Sequence, residues 1–342
     1  MEQCSNYYGV DMRPVSPSQI LRQSKTKSFM VTNPINIEYL TSIKLSSGIL
    51  LVTARNYHLF ADGRYKEMAD KKSGLSIKVH LPERLGSALR RIGETGFESE
   101  YVTVEQMRRM RRKNKNTKFV QRKGVIEHFR RQKSPDEIRK FKRSQRITVE
   151  LLRRVPLALR SCPTEKQLAW KFEDWARELG ADGLSFEPIV AFGTNSSCPH
   201  HHATDRKLKK GHIVQIDVGS KYKGYCSDQS QIFFTGRPTS LQQKILEAVS
   251  EAKQKSIASV RSGITNHKLD KIARDILSEY GFEEYFTHSL GHGVGLDIHE
   301  GTSLNQHGTS IKLLPNEIIT IEPGVYIPGK FGIRLEEEVV VR

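Results

Sequence analysis

Gln215-Ile216-Asp217-Val218-Gly219, running through Ser220-Lys221-Tyr222-Lys223 to Gly224-Tyr225-Cys226-Ser227-Asp228, places two aspartates eleven positions apart. Val214, Ile216 and Val218 alternate with polar neighbours, and Ile232-Phe233-Phe234 follow the second aspartate. The alternation predicts two strands joined by a glycine-containing turn over 220–224, a hairpin. A hairpin with one carboxylate on each strand can aim both at one spot. Two carboxylates converging in an interior repel each other and lose hydration, so they need a cation or a shared proton.

Four further stretches hold residues suited to such a cation. Gly193-Thr194-Asn195-Ser196-Ser197-Cys198-Pro199-His200-His201-His202 ends in three histidines, readable as a metal tract, as one functional histidine with bystanders, or as chance. His288 and His292 have the i,i+4 spacing of a helical zinc site, but Gly291, Gly293 and Gly295 argue against a helix. The segment is expected to be extended or looped, with one histidine reaching the metal. Glu322 (in Thr320-Ile321-Glu322-Pro323-Gly324) and Glu336 (in Gly332-Ile333-Arg334-Leu335-Glu336) follow β-forming residues. A glutamate there is excluded by burial cost unless it is paired, and each taken alone reads as a surface carboxylate. Together with two aspartates and a glycine-flanked histidine they form an oxygen-rich set that suits two divalent ions. Two such ions roughly 3.5–4 Å apart hold a water-derived nucleophile and polarise a carbonyl. Cys198 and Cys226 carry no oxyanion-type signature, so nucleophilic thiol chemistry lacks comparable support.

The chain has 342 residues, 37% hydrophobic and 27% charged, enough for two soluble globular domains. No run approaches the roughly 18 apolar residues of a membrane helix. Met1-Glu2-Gln3-Cys4-Ser5-Asn6 has no secretory pattern, which makes the cytoplasm the expected location. The scattered Cys4, Cys162, Cys198 and Cys226 are expected as free thiols. A net charge of +17 permits contact with nucleic acid or anionic membrane, but it is spread over both halves and no nucleic-acid motif accompanies it. The cluster from Met107 to Lys118 (Arg108, Arg109, Arg111, Arg112, Lys113, Lys115, Lys118) reads first as a solvated helix face and second as an anion-binding patch.

Residues 1–27 are polar and aperiodic, a leader. Strands are expected at Phe29–Val31, 48–53, 58–62 and 77–81, with helices from Arg64 and over 84–92. These alternating elements predict a small α/β domain over 28–132. Ser134-Pro135-Asp136-Glu137 is a capping box that opens a helix reaching toward Val155. Further helices are expected from 163 to 179, 241 to 259 and 269 to 280. With hairpins between them they predict an α+β domain over 133–342.

These motifs resemble the metallopeptidases of pita-bread fold: Xaa-Pro aminopeptidases, prolidases, methionine aminopeptidases and creatinases. Asn36-Ile37-Glu38-Tyr39-Leu40-Thr41, Leu50-Leu51-Val52-Thr53 and Asp62-Gly63-Arg64-Tyr65 resemble the creatinase-type N-terminal domain, which points to the Xaa-Pro aminopeptidase/prolidase branch. The resemblance implies Asp217 as a bidentate ligand of one metal, Asp228 and Glu336 as bridges between two, and His292 and Glu322 completing the set. Glu322 would also take a proton from the bridging water and pass it on. His200 would lie near the substrate amine or leaving group, with His201 and His202 as bystanders. His288 and His299 would contact the substrate carbonyl. Arg334 would orient the carboxylates. The metals expected are two divalent ions, Mn²⁺ first, with Co²⁺ or Zn²⁺ as alternatives.

The implied activity is hydrolysis of the bond between an N-terminal residue and proline, as an Xaa-Pro aminopeptidase acting on peptides with proline second. The alternatives are an Xaa-Pro dipeptidase (prolidase) and a pita-bread binding module without catalysis; retention of all five ligand positions argues against the latter. A homodimer is expected, with no membrane and no nucleic-acid partner. Two departures stand out. The family often has Asp-x-Thr-Arg-Thr where this chain has Asp228-Gln229-Ser230-Gln231-Ile232, so an arginine is missing. The last strand, before Val341-Arg342, is expected to be short.

Overall fold

The computed structural model describes residues 15–72 and 77–342, and these divide into two compact units, 1–129 and 130–342. The expected leader lies partly outside the described residues. Within it, Pro17–Ser24 forms a helix. Ser16 and Gln19 build a capping box at its start, which an apolar periodicity test misses in so short a segment. Ile20 is fully buried.

The first unit is built on a six-stranded mixed sheet. Its spatial order is Ile77–His80, Tyr57–Phe60, Ile49–Val52, Phe29–Val31, Glu94–Glu98, Lys118–Arg122. The last two strands are absent from the sequence expectations, because Glu94-Thr95-Gly96-Phe97-Glu98 and Lys118–Arg122 show neither an apolar run nor clean alternation. The neighbouring strand Phe29–Val31 is buried throughout, and pairing with it fixes Glu94–Glu98 as a parallel neighbour. Arg108, Arg109, Arg111, Arg112 and Lys113 of the basic cluster lie on the helix Val104–Lys113, capped by Thr103 and Gln106, with Met107 buried and Met110 packed against the core, while Lys118 opens the last strand.

In the second unit the helices are Pro135–Leu159, Glu165–Glu178, Ser240–Ser259 and Asn266–Glu279. The first runs four residues past the expected Val155 and accommodates Pro156 in its last turn. Every strand pair in this unit is antiparallel. The central three-stranded sheet has Ile213–Val218 between Ile189–Phe192 and Gln229–Phe234.

The opening hairpin is present but longer than its turn suggested. Ser220–Tyr222 pairs with Tyr225–Cys226 around Lys223 and Gly224, both at positive φ, so only two residues form the turn. Gly219 is the crossing point: a Cβ there would overlap the Ser227 carbonyl. Behind the hairpin, Ser144 and Thr148 of the long helix bond to Ser220 and Ser227. All four residues are fully buried, so these polar groups satisfy one another where water cannot. No helix among the described residues is long and apolar enough to cross a membrane. Cys162, Cys198 and Cys226 are free thiols, and Cys4 lies outside the described residues.

Gly219→Ala should force the two halves of the hairpin apart and cost about 1–3 kcal/mol or more. A lowered denaturant midpoint with unchanged slope is the expected reading; an unchanged midpoint would contradict the close approach.

Candidate metal centre

The two aspartates reach one face by strand register. Ser230 lies directly opposite Asp217, and Asp228 precedes Ser230 by two residues. Opposed residues share a face, as do alternate residues of one strand. Glu336 joins them because its N–H donates to the Ser230 carbonyl at 3.1 Å, which docks the 334–338 segment on the second aspartate strand. Glu322 follows the strand Ile318–Ile321, and its N–H donates to the Leu290 carbonyl at 2.8 Å. That bond ties it to the histidine segment.

His292 stands on a two-residue strand, Gly291–His292, paired with Ser303–Leu304, so the expected extended backbone is observed. Gly291 is required there: a Cβ would overlap the Thr320 carbonyl. The His292 Nδ1 faces the Gly293 carbonyl at 3.1 Å, which leaves Nε2 as the free acceptor. Nε2 lies 3.5 Å from Asp228 Oδ2 and 3.5 Å from Glu322 Oε1. Donor atoms of Asp228, His292 and Glu336 all fall within 4.8 Å of one another.

Charge makes this arrangement unstable without protons or cations. Burial, followed by Glu336, Asp217 and Glu322, raises Asp228 well above the usual carboxylate range. Burial, then Glu322 and Asp217, does the same to Glu336. Burial pushes Glu322 up to about 8, although Arg334 opposes it. Burial, with help from His299, pushes His292 down to about 4, so it is neutral and ready to ligate. Asp217 Oδ1 and Asp228 Oδ1 are buried with no hydrogen-bond partner. Orphaned carboxylate oxygens, raised acids and a neutral imidazole in one place fit divalent cations.

Arg334 is the fixed counter-charge. Its Nη2 donates to Asp217 Oδ2 at 2.6 Å, Nε to Ser230 Oγ at 2.9 Å, and Nη1 to the Tyr326 hydroxyl at 2.6 Å and the Pro199 carbonyl at 3.2 Å. Gln215 holds its backbone, accepting the Arg334 N–H at 2.8 Å. The Tyr326 hydroxyl lies 2.9 Å from His288 Nε2, and His288 Nδ1 lies 2.8 Å from the Ser289 carbonyl. Both ring nitrogens of His288 therefore have protein partners, and an unbroken chain links it to Asp217.

The missing family arginine has a simple outcome. Gln231, at that position, is exposed and points away from the centre, whereas Ser230 meets Arg334. Gln229 is buried, and its amide donates to Glu338 Oε2 at 3.2 Å.

All the predicted residues line one cavity of about 640 Å³: Asp217, Asp228, His292, Glu322 and Glu336 with His200, His288 and His299. The rings of His200 and His299 have no hydrogen bond among the described residues. One expectation needs correction. His201 is not a bystander, because its Nε2 sits 2.9 Å from Oε2 of the fully buried Glu165. Glu165 also accepts from Phe192, Asn195 and Thr204, and so pins the loop that carries His200. His202 is exposed, 3.6 Å from Glu187.

Sequence reasoning also missed Tyr326 and Glu338. Glu338 accepts the Asp228 N–H at 2.6 Å and an amide of Gln145 at 3.1 Å. Strand alternation across Glu336-Glu337-Glu338 was the available signal: the outer two are buried and Glu337 is exposed. Nothing local marks Tyr326, whose partners are 8 and 38 positions away. The side chain of Glu300, next to His299, is buried. Burial alone would raise its carboxyl, but Lys133 and Arg130 outweigh this and hold it below the usual range.

The chain has clear relatives. Residues 139–342 match metallopeptidase family M24, and residues 18–132 match the creatinase/prolidase N-terminal domain. An Xaa-Pro dipeptidase of Pyrococcus horikoshii is 32% identical over 328 residues, covering 94% of this chain and 92% of that protein. Among solved structures, an Xaa-Pro dipeptidase from Bacillus anthracis superposes with TM-score 0.90 at 29% identity, covering 95% of this chain and 94% of its own. An X-Pro aminopeptidase from Thermotoga maritima gives 0.85 at 30% identity, covering 94% and 95%.

Because Glu322, pushed up to about 8 in the metal-free protein, holds a proton near pH 7, metal uptake should expel it, and affinity should rise with pH. Calorimetric titration in buffers of different ionisation enthalpy measures the release; none would mean the acids are already ionised. Tyr326→Phe should weaken divalent-metal affinity by about 10–100-fold, while Gln231→Ala leaves it unchanged in the same titration.

Proposed function

The chain belongs to metallopeptidase family M24, with a creatinase-type N-terminal domain and the pita-bread fold, and on that premise we propose that it is an Xaa-Pro aminopeptidase. The observation that carries the reading is the convergence of Asp217, Asp228, His292, Glu322 and Glu336 on one cavity, with two carboxylate oxygens left unpartnered. These five residues would hold two divalent ions, Mn²⁺ first, with Co²⁺ or Zn²⁺ as alternatives. When bound, such ions lower the pKa of water and polarise a carbonyl.

The protein's own groups do the remaining work. Glu322, whose proton metal uptake would expel, would accept a proton from the attacking water and return it to the leaving proline nitrogen. His200 and His299, with free rings facing the cavity, are placed to contact the substrate, His200 near its amine or leaving group and His299 at the carbonyl. His288 is proposed for the same carbonyl; engaging it through Nε2 requires exchange of the Tyr326 bond. Arg334 orients Asp217. Phe186, Pro188, Ile189 and Ile298 give the cavity an apolar side, which suits a proline ring. Proline's nitrogen carries no N–H once acylated, so a wall that demands no donor costs nothing in unpaired polar groups. A homodimer and a cytoplasmic location are proposed as well.

A second reading, Xaa-Pro dipeptidase, is favoured by the names of the Pyrococcus horikoshii and Bacillus anthracis relatives. The two readings differ in the length of peptide the cavity admits. Release of the N-terminal residue from an Xaa-Pro dipeptide and an Xaa-Pro-Yaa tripeptide, with Mn²⁺ or Co²⁺ added, separates them. We expect turnover of the tripeptide and its loss in Asp228→Ala. Turnover of the dipeptide alone would make the protein a prolidase, and turnover of neither would refute both.

A further inference from the structure

The basic helix of the first unit is more than a solvated face. Gln106, Arg109, Met110 and Lys113, spaced i, i+3, i+4, i+7, share one side of the helix Val104–Lys113 and line a cavity of about 570 Å³. The opposite wall includes Leu85, Gly86 and Arg90 of the helix Leu85–Ile92, and Ser46-Ser47-Gly48-Ile49 and Tyr101-Val102 close it. The volume falls in the range of about 300–1,000 Å³ typical of small-molecule sites.

Its charge is one-sided. Arg90, Arg109 and Lys113 face a single lining carboxylate, Glu83, and none of the three cations has an ion-pair partner among the described residues. Arg112, on another face of the same helix, does pair with Glu105. Ile49, Leu85, Val102 and Met110 give the lining an apolar part, and Tyr101, also in the lining, is 47% exposed. A second sign is independent of charge. Asn114, only 7% exposed, is part of the wall, and its Oδ1 has no hydrogen-bond partner.

We propose that this cavity is a second ligand site, taking a nucleoside diphosphate or a molecule of that chemistry. Three unpaired cations call for a multiply charged anion, since one carboxylate would leave them largely uncompensated. Apolar lining residues and an exposed tyrosine call for a flat, poorly hydrated body attached to it. The catalytic cavity shares none of these residues.

The test is calorimetric titration of the full-length protein with ADP, with pyrophosphate and with adenosine. ADP should bind, and each half alone should bind at least about tenfold more weakly. Arg109→Ala/Lys113→Ala should lose about tenfold or more of the ADP affinity with its melting temperature unchanged. Arg108→Ala/Arg111→Ala, which removes the same charge from the same helix outside the cavity, should retain it. Absence of ADP binding at millimolar concentration overturns the proposal. So does equal loss in both double variants, which would signal unspecific attraction. Pyrophosphate binding as tightly as ADP would mean an adventitious ion only.

Discussion

Four carboxylates crowd one buried spot, and their mutual repulsion is the constraint on which the catalytic unit's arrangement depends. Asp217, Asp228, Glu322 and Glu336 come from four segments, and each raises the cost of ionising its neighbours. Such a cluster survives folding only if protons or cations neutralise it and if the surrounding chain is held too firmly to splay apart. Arg334 supplies one permanent positive charge, bonded to Asp217 at 2.6 Å. One guanidinium cannot balance four carboxylates, so the remaining charge calls for metal.

The firmness comes from ordinary backbone pairing reinforced at chosen points. The hairpin is stapled to the long helix by four buried hydroxyl side chains, and Glu338 grips the Asp228 amide from the adjoining strand. On the histidine side, Gly291 permits contact with Thr320, and Glu300 anchors the loop after His299 through Arg130 and Lys133. Glu165 does the equivalent for the His200 loop, satisfying five donors with one buried carboxylate. Metal chemistry tolerates little error in ligand position, and supports of this kind would hold these side chains in orientation for it.

Much of this was legible from the sequence because acids in apolar β-runs are costly and therefore conspicuous. The alternation around Asp217, the glycines around His292 and the isoleucines before Glu322 each marked a side chain where burial should have excluded it. The positioning residues were not legible in that way. Tyr326 looks like any strand tyrosine, and Glu338 like one more surface glutamate, until Arg334 and the Asp228 amide are brought against them. His201 sat inside a histidine run that offered no reason to prefer one ring over another; its role is set by Glu165, thirty-six positions earlier. In the first unit, two strands escaped notice because their partners, and not their own residues, make them strands.

The sequence by itself pointed to the family and to the acids and histidines that line one cavity, since residue type and local spacing express burial cost, backbone freedom and capping directly. Tertiary structure alone decided which hydroxyl, amide or imidazole supports each donor, and that position 231 faces outward while 230 meets Arg334. It also decided that one face of the basic helix closes a cavity while the others meet solvent. Those outcomes depend on contacts between residues far apart in the chain. Local pattern fixes the direction in which a side chain leaves its strand or helix, and only packing supplies what it meets.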